Sequence, residues 1–477
     1  MIGKQERWQE DLFVAGPLSS LIPDDHILKR VDRVLDLSWL RREVADLYCH
    51  TNGRPGIDPE AAVRLMLAGF FQGVVHDRKL MREAQVNLAI RWFAGYRLDE
   101  KLPDHSSLTK IRQRWGADRF KQIFLKTVQS CIDANLVNGD TVHVDATLIR
   151  ADVSWESLTT EHAEAVIKEN VAGEDTPKGR GRPSKKPPKP KKRSTTDPDA
   201  TMTTSSHTHR MEPFYKQHGA VDDLCGVIVD VDITTGQDSE GRQLPDQIKR
   251  IEENTGMEIK VLSADAGYAH GQNYDHLEKK QIDAIIPPQK ENNHPKRLPI
   301  RLFKYDAKNK IVKCPGGKTL TRRTENKQGW VYRSNAKDCR HCKLRKRCLN
   351  EHVKSRSIMI SKGYEALLRA RRRHRDPDKK FRQMYSRHRY QIEGMHGEAK
   401  TQHGLRRAVR RGLGNVAIQA YLTAAVINLK RLATYAGGFI RLCFECICIY
   451  LALQTPWKQA REKIRSKLFL VKLATAA

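Results

Sequence analysis

Three side chains in a late segment could act together on an anion. Arg389, Glu393 and Lys400 are separated by four and then seven residues. An α-helix turns by about 100° per residue, so these spacings would bring all three onto one helix face. That face would present a carboxylate between two cations. Ion pairs within a helix use the same spacing, so the segment alone does not distinguish a helix-stabilising surface from a phosphate-binding one.

Two further acids occupy positions where strands are expected. Residues 141–149 alternate between apolar and polar types, with Asp145 in the middle, and residues 259–268 read as a strand that ends in Asp265 at a glycine turn. Carboxylates brought together repel, and a hard divalent cation such as Mg²⁺ relieves the repulsion by accepting oxygen ligands. Two such ions can activate the attacking oxygen and stabilise the leaving oxygen of a phosphoryl transfer.

Four cysteines form a second candidate site. Cys339 and Cys342 make a Cys-x₂-Cys pair, with Cys314 before them and Cys348 after them. Four thiolates in this arrangement suit tetrahedral Zn²⁺, for which His341 is a substitute ligand. The alternative is a set of reduced thiols without metal. We predict a structural zinc site in a small β-rich segment.

The charge balance indicates a polyanionic partner. The chain of 477 residues holds 86 Lys and Arg against 56 Asp and Glu, a formal charge of +30. Each phosphate that a basic side chain neutralises releases a counterion, so such an excess favours nucleic acid. No apolar run approaches the roughly 20 residues of a spanning helix, and the polar residues 1–10 lack the core of a secretion signal. We therefore expect a soluble, cytoplasmic, nucleoid-associated protein without a membrane partner.

A basic run interrupts the strand-rich region. Residues 177–196 contain nine Lys or Arg, five Pro and no acid. Such a composition cannot bury enough apolar surface to fold, and we predict a disordered insert. Within it, residues 179–183 resemble an AT-hook, whose arginines, here Arg180 and Arg182, enter the minor groove of DNA. A non-specific phosphate-binding arm is the alternative.

The elements that must position these residues fall into two classes. The first 125 residues read as short helices, with Asp104 a candidate N-cap, and suit a DNA-contacting bundle. From Thr141 onward the order strand, hairpin, helix, strand, helix, strand predicts a mixed α/β sheet. Basic residues expected on the surface of the helical bundle are Arg78, Lys79, Arg82, Lys110, Arg112 and Arg114.

Together these features resemble the bacterial insertion-sequence DDE transposases. The matching stretches are residues 53–59, 103–108, 143–147, 194–199 and 264–268 and the Arg389, Glu393 and Lys400 signature. In the branch with a tyrosine-arginine-glutamate-lysine signature, the tyrosine lies three residues before the arginine. Here Ser386 holds that position, with Tyr385 and Tyr390 beside it. The role of the tyrosine is therefore left unassigned.

The resemblance implies a fold and a set of domains. It implies an α/β catalytic domain of ribonuclease H-like fold, a mixed sheet flanked by helices, preceded by a helical DNA-binding domain and interrupted by a small β-rich insertion that contains the cysteines. The expected boundaries are 1–130 for the helical domain, 138–300 and 375–435 for the catalytic domain, 170–210 for the disordered insert, 301–355 for the cysteine insertion and 436–477 for a C-terminal tail.

The resemblance also implies an activity. Asp145, Asp265 and Glu393 would hold two Mg²⁺ ions, for which Mn²⁺ can substitute, while Arg389 and Lys400 would contact DNA phosphates. The protein would cleave double-stranded DNA at the terminal inverted repeats of its element and join the ends to target DNA, as a homo-oligomer in a synaptic complex. Two alternatives are a related nuclease that does not join strands and an inactive, DNA-binding regulator derived from a transposase.

Overall fold

The computed structural model of the protein describes residues 16–49, 56–154, 158–160, 192–204, 211–289 and 297–453. Contacts divide the chain into two compact units. The first comprises residues 1–134, 402–404 and 421–477, and the second comprises residues 135–401 and 405–420. The predicted AT-hook, with Arg180 and Arg182, lies outside the described residues, as does most of the predicted disordered insert.

The first unit is helical, as the sequence predicts for its N-terminal part. Asp58 caps one helix by accepting a hydrogen bond from the Glu60 amide at 2.7 Å, and Asp104 caps another through the Ser106 amide at 2.9 Å, as predicted. The helices are α1 (Ile27–Asp32), α2 (Leu40–Val44), α3 (Pro59–Phe71), α4 (Asp77–Val86), α5 (Leu88–Phe93) and α6 (His105–Asp133), with 3₁₀ turns at Leu18–Leu21 and Ala45–Leu47. Helix α6 kinks at Gly116, where φ is 69°.

A segment from the far end of the sequence completes this unit. From Tyr421 onward the chain contributes a long helix, whose Tyr421 ring stacks on Phe124 at 6.2 Å between centroids. Asn428 donates a hydrogen bond to Thr127, and both side chains are buried. The helical unit therefore joins the first 134 residues to a segment more than 280 residues later.

The prediction that Arg112 lies on the surface of the helical bundle is wrong. Arg112 is only 3% exposed, and its Nη1 donates to Asp77 Oδ2 at 2.7 Å, with Asp77 itself only 6% exposed. The ion pair joins α4 to α6 within the bundle. Arg114, two residues on, is exposed and lies over the Tyr48 ring, 4.7 Å from its centroid. Arg112 therefore holds the bundle together and is not available to a DNA phosphate.

The second unit is built on a mixed sheet. Its strands are β1 (Thr141–Arg150), β4 (Thr201–Thr203), β5 (Glu212–Asp222), β6 (Ile228–Thr235), β7 (Val261–Ala264) and β8 (Asp283–Ile285), and a separate two-stranded sheet holds β2 (Leu158–Thr160) and β3 (Lys192–Ser194). Strands β8, β7 and β1 are parallel neighbours in that order. β5 pairs antiparallel with β1 on one side and with β6 and β4 on the other.

The predicted strand and helix order of this sheet is confirmed. Strands β5 and β6 form the expected hairpin, and helices α7 (Glu240–Thr255) and α8 (Gly271–Lys279) lie between the strands where helices were predicted. Apolar side chains dominate the core along β1, β6 and β7, where Val144, Val229 and Leu262 are completely buried, and the same strands also bury His143, Asp230 and Ser263.

A second sheet follows in this unit. It is antiparallel, with the order β13-β12-β11-β10-β9, and its core includes Leu320, Tyr332 and Ile358. The strands are β9 (Lys304–Asp306), β10 (Ile311–Lys313), β11 (Thr319–Asn326), β12 (Gly329–Ser334) and β13 (Ser357–Ser361), with short helices α9 (Ala336–Arg340) and α10 (Arg345–Cys348) between the last two. The predicted β-rich segment around the cysteines is confirmed.

Helices occupy the end of the described chain. They are α11 (Tyr364–Arg375), α12 (Lys379–His388), a π-helical turn (Arg389–Glu393), α13 (Gly394–Thr401) and α14 (Leu413–Leu453), and further 3₁₀ turns lie at Ala266–Tyr268 and Ile300–Leu302. Among the residues that the structure describes, no helix combines the length and apolarity that crossing a membrane requires.

The buried ion pair of the helical unit gives a first prediction. Replacing Arg112 by Met removes the cation that pairs with the buried Asp77 carboxylate and leaves only neutral donors such as Thr109, which costs about 3–5 kcal/mol of folding free energy. Urea unfolding of the full chain, followed by circular dichroism, should show this loss in the transition of the helical unit. Arg114→Met is the control and should cost about 1 kcal/mol or less, because its contact with Tyr48 is at the surface. Equal losses for the two variants would contradict a structural role for Arg112.

Candidate functional site

Asp145 and Asp265 are brought together by strand register. Strands β1 and β7 are parallel, and the last residues in register are Val144 and Ala264. Asp145 and Asp265 are the next residues on the two strands. Neighbouring strands lie about 4.8 Å apart, so the two carboxylates start from adjacent backbone positions. The structure therefore places two of the three predicted acids side by side.

The turn after Asp265 fixes the direction of its side chain. Asp265 caps the 3₁₀ turn Ala266–Tyr268, with Oδ1 accepting a hydrogen bond from the Gly267 amide at 2.8 Å. A side chain at Gly267 would displace the carboxylate, because a Cβ built there would lie 2.9 Å from Asp265 Oδ1. The glycine turn predicted from the sequence is thus the element that holds this carboxylate at the strand end.

The electrostatics of Asp145 show that several negative charges act at one place. Burial raises the pKa of Asp145 to about 7, although a hydrogen bond from the Ala146 amide opposes the shift. The charges of Asp265, Glu240 and Glu393 raise this pKa further. A bound cation would have the opposite effect, since it favours the ionised carboxylate. The donor set therefore fits a divalent cation.

Glu393 comes to the site on a continuous run of helix from α12 through the π turn to α13. It is the last residue of the π turn, and its Oε1 lies 3.4 Å from Arg389 Nε. Both side chains are more than half exposed. Arg389 is therefore ion-paired with Glu393 in this structure, as the helix-stabilising interpretation of the spacing requires.

Lys400 has different surroundings. Its side chain is half-buried, and burial is the first cause of its lowered pKa, followed by the charge of Arg406. The charge of Asp145 acts in the opposite direction. The structure thus brings Lys400 into electrostatic reach of Asp145, on the same helical segment that carries Glu393.

The helical segment approaches the sheet closely beside Asp145. Gly219 on β5 lies opposite Asp145 on β1, and a Cβ built on Gly219 would be 3.0 Å from Met395 Cε and 3.6 Å from His396 Cε1. His396 Nε2 lies 3.6 Å from Asp145 Oδ2. Burial lowers the pKa of His396 to about 3, helped by Lys400 and His388, so the ring is neutral. His396 is not among the residues predicted from the sequence, where only its spacing of three from Glu393 marks it.

Tyr385 is a second residue whose position the sequence left open. Burial raises the pKa of Tyr385, and the charges of Asp265, Glu393 and Asp145 add to the shift while that of Arg389 opposes it. The ring stacks on His388 at 5.9 Å and is nearly parallel to it. The tyrosine next to the expected position therefore belongs to the surroundings of the acids.

The π turn accounts for the position of Tyr385 near the acids, although Tyr385 lies one residue before Ser386, where the resemblance predicts a tyrosine. Two turns of α-helix span about seven residues, and a π turn adds one residue because its hydrogen bonds run from i to i+5. Tyr385 and Glu393 are eight residues apart, and the π turn at Arg389–Glu393 lies between them. The additional residue returns Tyr385 to the face of Glu393.

The four predicted zinc ligands line one small cavity beside the second sheet. A Cβ built on Gly316 would lie 3.3 Å from Cys342 Sγ and 3.6 Å from Cys314 Sγ. Burial raises the pKa of the Cys348 thiol, and the other three cysteines contribute to the shift. His341 is exposed and does not line the cavity.

Neither site has the geometry of a complete metal centre. Among the described residues, no three His, Cys, Asp or Glu side chains are arranged so that they could hold an ion. For Mg²⁺ this is a weak requirement, because the ion is usually bound by one or two carboxylates together with water and phosphate. For zinc, the four thiols share a cavity but would have to close further around the ion.

Two family models match the chain. One, described as Transposase domain (DUF772), matches residues 17–114, and the other, described as Transposase DDE domain, matches residues 313–433. Together they support an insertion-sequence DDE transposase and do not specify the signature branch. Glu393 and Lys400 lie within the second match, whereas Asp145 and Asp265 lie between the two. No curated protein matches the chain.

This chain is only weakly similar to solved transposase structures. The Mos1 transposase paired-end complex with left transposon end is 10% identical with a TM-score of 0.16, covering 52% of this chain and 65% of the Mos1 chain. The piggyBac transposase synaptic complex with hairpin DNA is 9% identical with a TM-score of 0.27, covering 92% and 84%. The chain thus spans less than two thirds of the Mos1 transposase that it matches, and scores this low carry no weight for fold or activity.

Proposed function

We propose that this chain, an insertion-sequence DDE transposase by its two family matches, cleaves DNA at the ends of its element and joins those ends to target DNA in a Mg²⁺-dependent reaction. The observation that carries the proposal is the adjacent position of Asp145 and Asp265 on parallel strands, with the helix bearing Glu393 beside them. The mixed sheet, in which only some strands are parallel, supports the ribonuclease H-like fold for the catalytic domain.

Asp145, Asp265 and Glu393 are the residues that would hold two Mg²⁺ ions, or Mn²⁺ in their place. Bound ions of this kind activate the attacking oxygen and stabilise the leaving oxygen of an in-line displacement. The protein contributes two carboxylates, Asp145 and Asp265, that β1 and the end of β7 place side by side before any ion arrives, and a third, Glu393, on the helical run that follows α12. Glu393 is exposed and paired with Arg389, so it can rotate toward an ion without breaking a buried contact.

The reaction consists of two displacements at phosphorus. A water oxygen first forms a bond to the phosphorus at the element end, and the bond to the 3′ oxygen breaks, which frees a 3′-OH. That hydroxyl then attacks a phosphorus in target DNA, and the 3′ oxygen of the target leaves. No covalent bond between protein and DNA forms at either step.

Lys400 and Arg389 would hold the phosphates near the cleaved bond. Lys400 lies in reach of Asp145, so a phosphate that contacts it would be close to the carboxylates. Arg389 would exchange Glu393 for a phosphate when DNA enters. Tyr385 would take the place of the signature tyrosine, because the π turn brings it to the face of Glu393.

The positive charge of the chain indicates which partners it would bind. A formal charge of +30 suits double-stranded DNA, both the terminal repeats of the element and the target. Joining two ends requires a homo-oligomer in a synaptic complex. Arg180 and Arg182 would add a minor-groove contact. We also propose the domain boundaries that the sequence predicts.

The cysteine cavity would hold a structural zinc ion. Cys314, Cys339, Cys342 and Cys348 already line it, and zinc would bind them as thiolates, so that its binding free energy would add to the stability of the fold. Such an ion would fix the two short helices α9 and α10 against the second sheet.

The catalytic assignment predicts a separation of cleavage from binding. Asp145→Asn, Asp265→Asn and Glu393→Gln should each abolish cleavage of DNA that carries the inverted repeats flanking the gene. Binding should persist or tighten, since removing an acid reduces repulsion of phosphate. Gel-shift and cleavage assays measure both, and a joining assay on the unmodified protein distinguishes a transposase from a nuclease that does not join strands.

Asp152→Asn is the matched control for these variants. Asp152 lies seven residues after Asp145 and is paired with Arg407 at 2.7 Å. It should retain cleavage. Wild-type cleavage by any of the three site variants would remove that residue from the catalytic set.

The phosphate-binding assignment predicts the behaviour of Lys400→Ala. Cleavage should fall by at least about tenfold because the phosphate is no longer held in line. The dependence of DNA affinity on salt should decrease by about one phosphate contact. Lys249→Ala, at an exposed pair with Glu253, is the control and should change neither. If Lys400 only stabilises its helix, its removal should cost about 0.5 kcal/mol or less of stability and leave cleavage at the wild-type rate.

The zinc assignment predicts one zinc per chain in metal analysis, with sulfur atoms at about 2.3 Å from the ion in X-ray absorption. Cys339→Ser combined with Cys342→Ser should remove the zinc and lower the melting temperature. The exposed Cys225→Ser is the control and should retain it. A folded protein without zinc, in which all four thiols react with an alkylating reagent, would contradict the assignment.

A further inference from the structure

A fourth acid, Glu240, lies at the same place as the catalytic carboxylates. A Cβ built on Gly267 would be 2.8 Å from Glu240 Oε2 and 2.9 Å from Asp265 Oδ1. The two oxygens are therefore no farther apart than the sum of these distances, 5.7 Å. Glu240 is the first residue of α7, more than twenty residues before Asp265, and was not among the acids selected from the sequence.

Packing fixes the start of α7 against the turn that carries Asp265. Gly241 has no side chain, and a Cβ there would be 2.0 Å from His270 Cδ2, so a larger residue would have to displace the His270 ring. The buried Asn273 donates from Nδ2 to Gly241 O at 2.8 Å and to Tyr268 O at 2.9 Å. The position of Glu240 beside Asp265 is thus set by the backbone and by a shared buried amide.

A buried hydroxyl beside these acids lacks a partner. Tyr268 is completely buried, and its Oη has no hydrogen-bond partner among the described residues. The charges of Asp145, Glu240 and Asp265 all act on it. Leaving a buried polar group unsatisfied is costly, so its surroundings are expected to include a ligand or water. A hydrated cation supplies water molecules that donate hydrogen bonds, which is the partner that this oxygen lacks.

We propose that Glu240 is a fourth carboxylate ligand of the divalent-cation site and shares an ion with Asp265. The inference rests on the proposed function, because it assumes that Asp145 and Asp265 bind the ion. Lys216 Nζ lies 3.1 Å from Glu240 Oε1 and donates to Asp238 O at 2.7 Å. Lys216 therefore holds one oxygen of Glu240, while the other, Oε2, lies against Gly267 in the turn that Asp265 caps.

A simpler role for Glu240 makes different predictions. An acid in the first turn of a helix is stabilised by the helix dipole, and Glu240 also has the ion pair with Lys216. In that role, neutralising Glu240 would lower the stability of the metal-free protein and leave metal affinity unchanged. As a metal ligand, it repels the other acids when no ion is present. Neutralising it should then weaken metal binding, whichever way the opposing losses of this repulsion and of the Lys216 ion pair shift the metal-free melting temperature.

The test is Mn²⁺ binding to the full chain without DNA, measured by electron paramagnetic resonance of the free ion. Glu240→Gln should raise the dissociation constant of Mn²⁺ by about tenfold or more, a loss that is typical when a group supporting a metal site is removed. Glu240→Asp keeps the charge but withdraws the carboxylate by one methylene, and it should weaken Mn²⁺ binding as well. Glu253→Gln, an exposed acid on the same helix, should bind Mn²⁺ like the wild type.

The outcomes separate this inference from the proposed function. If Asp145→Asn and Asp265→Asn lose Mn²⁺ binding while Glu240→Gln binds within about twofold of wild type, Glu240 is not a ligand and only this inference fails. If the two aspartate variants bind Mn²⁺ like wild type, the proposed metal site itself fails. A metal-free Glu240→Gln protein that melts earlier but retains Mn²⁺ affinity would establish the simpler role. If Glu240→Gln does not fold, the Glu240→Asp measurement decides in the same way.

Discussion

The concentration of negative charge beside two parallel strands is the constraint around which the second unit is organised. Register alone brings Asp145 beside Asp265, because the strands that carry them pair up to the residue before each acid. Burial and the neighbouring acids raise the pKa of Asp145 to about 7. A fold that maintains such repulsion without a cation must hold the acids by other contacts, and the surrounding elements supply these.

Three glycines allow the close packing that holds the acids in place. Gly267 lets the turn after β7 close on Asp265, Gly241 lets α7 begin against the same turn, and Gly219 lets the late helix approach the sheet next to Asp145. At each position a Cβ would lie 3.0 Å or less from a neighbouring atom. The arrangement of the acids therefore includes three glycines on three different elements, against each of which a neighbouring side chain packs closely. A substitution at any of these glycines would act on the site without altering a charged group.

The sequence was sufficient for the features that depend on local pattern. Alternation placed Asp145 in a strand, the glycine turn placed Asp265 at a strand end, and the hairpin of β5 and β6 followed from two apolar runs with a polar break. Features that depend on tertiary packing were not accessible. Arg112 has the sequence neighbours of a surface residue, and only the approach of α4 to α6 buries it against Asp77. Glu240 begins an ordinary amphipathic helix, and nothing local marks its direction toward Asp265.

The late helix shows why spacing is a reliable guide only while the helix stays regular. A spacing of four between Arg389 and Glu393 predicts contact in an α-helix, and the two side chains do meet at 3.4 Å. The same rule places the signature tyrosine seven residues before Glu393, where the chain has Ser386. The π turn changes the count, because a turn with one more residue makes eight the spacing that returns to the same face. Ser386 is exposed, whereas Tyr385 is half-buried and feels the charges of all three acids. The additional residue of the π turn therefore offsets the one-residue shift of Tyr385 from the position that the resemblance predicts, so that the side chain near the acids is a tyrosine.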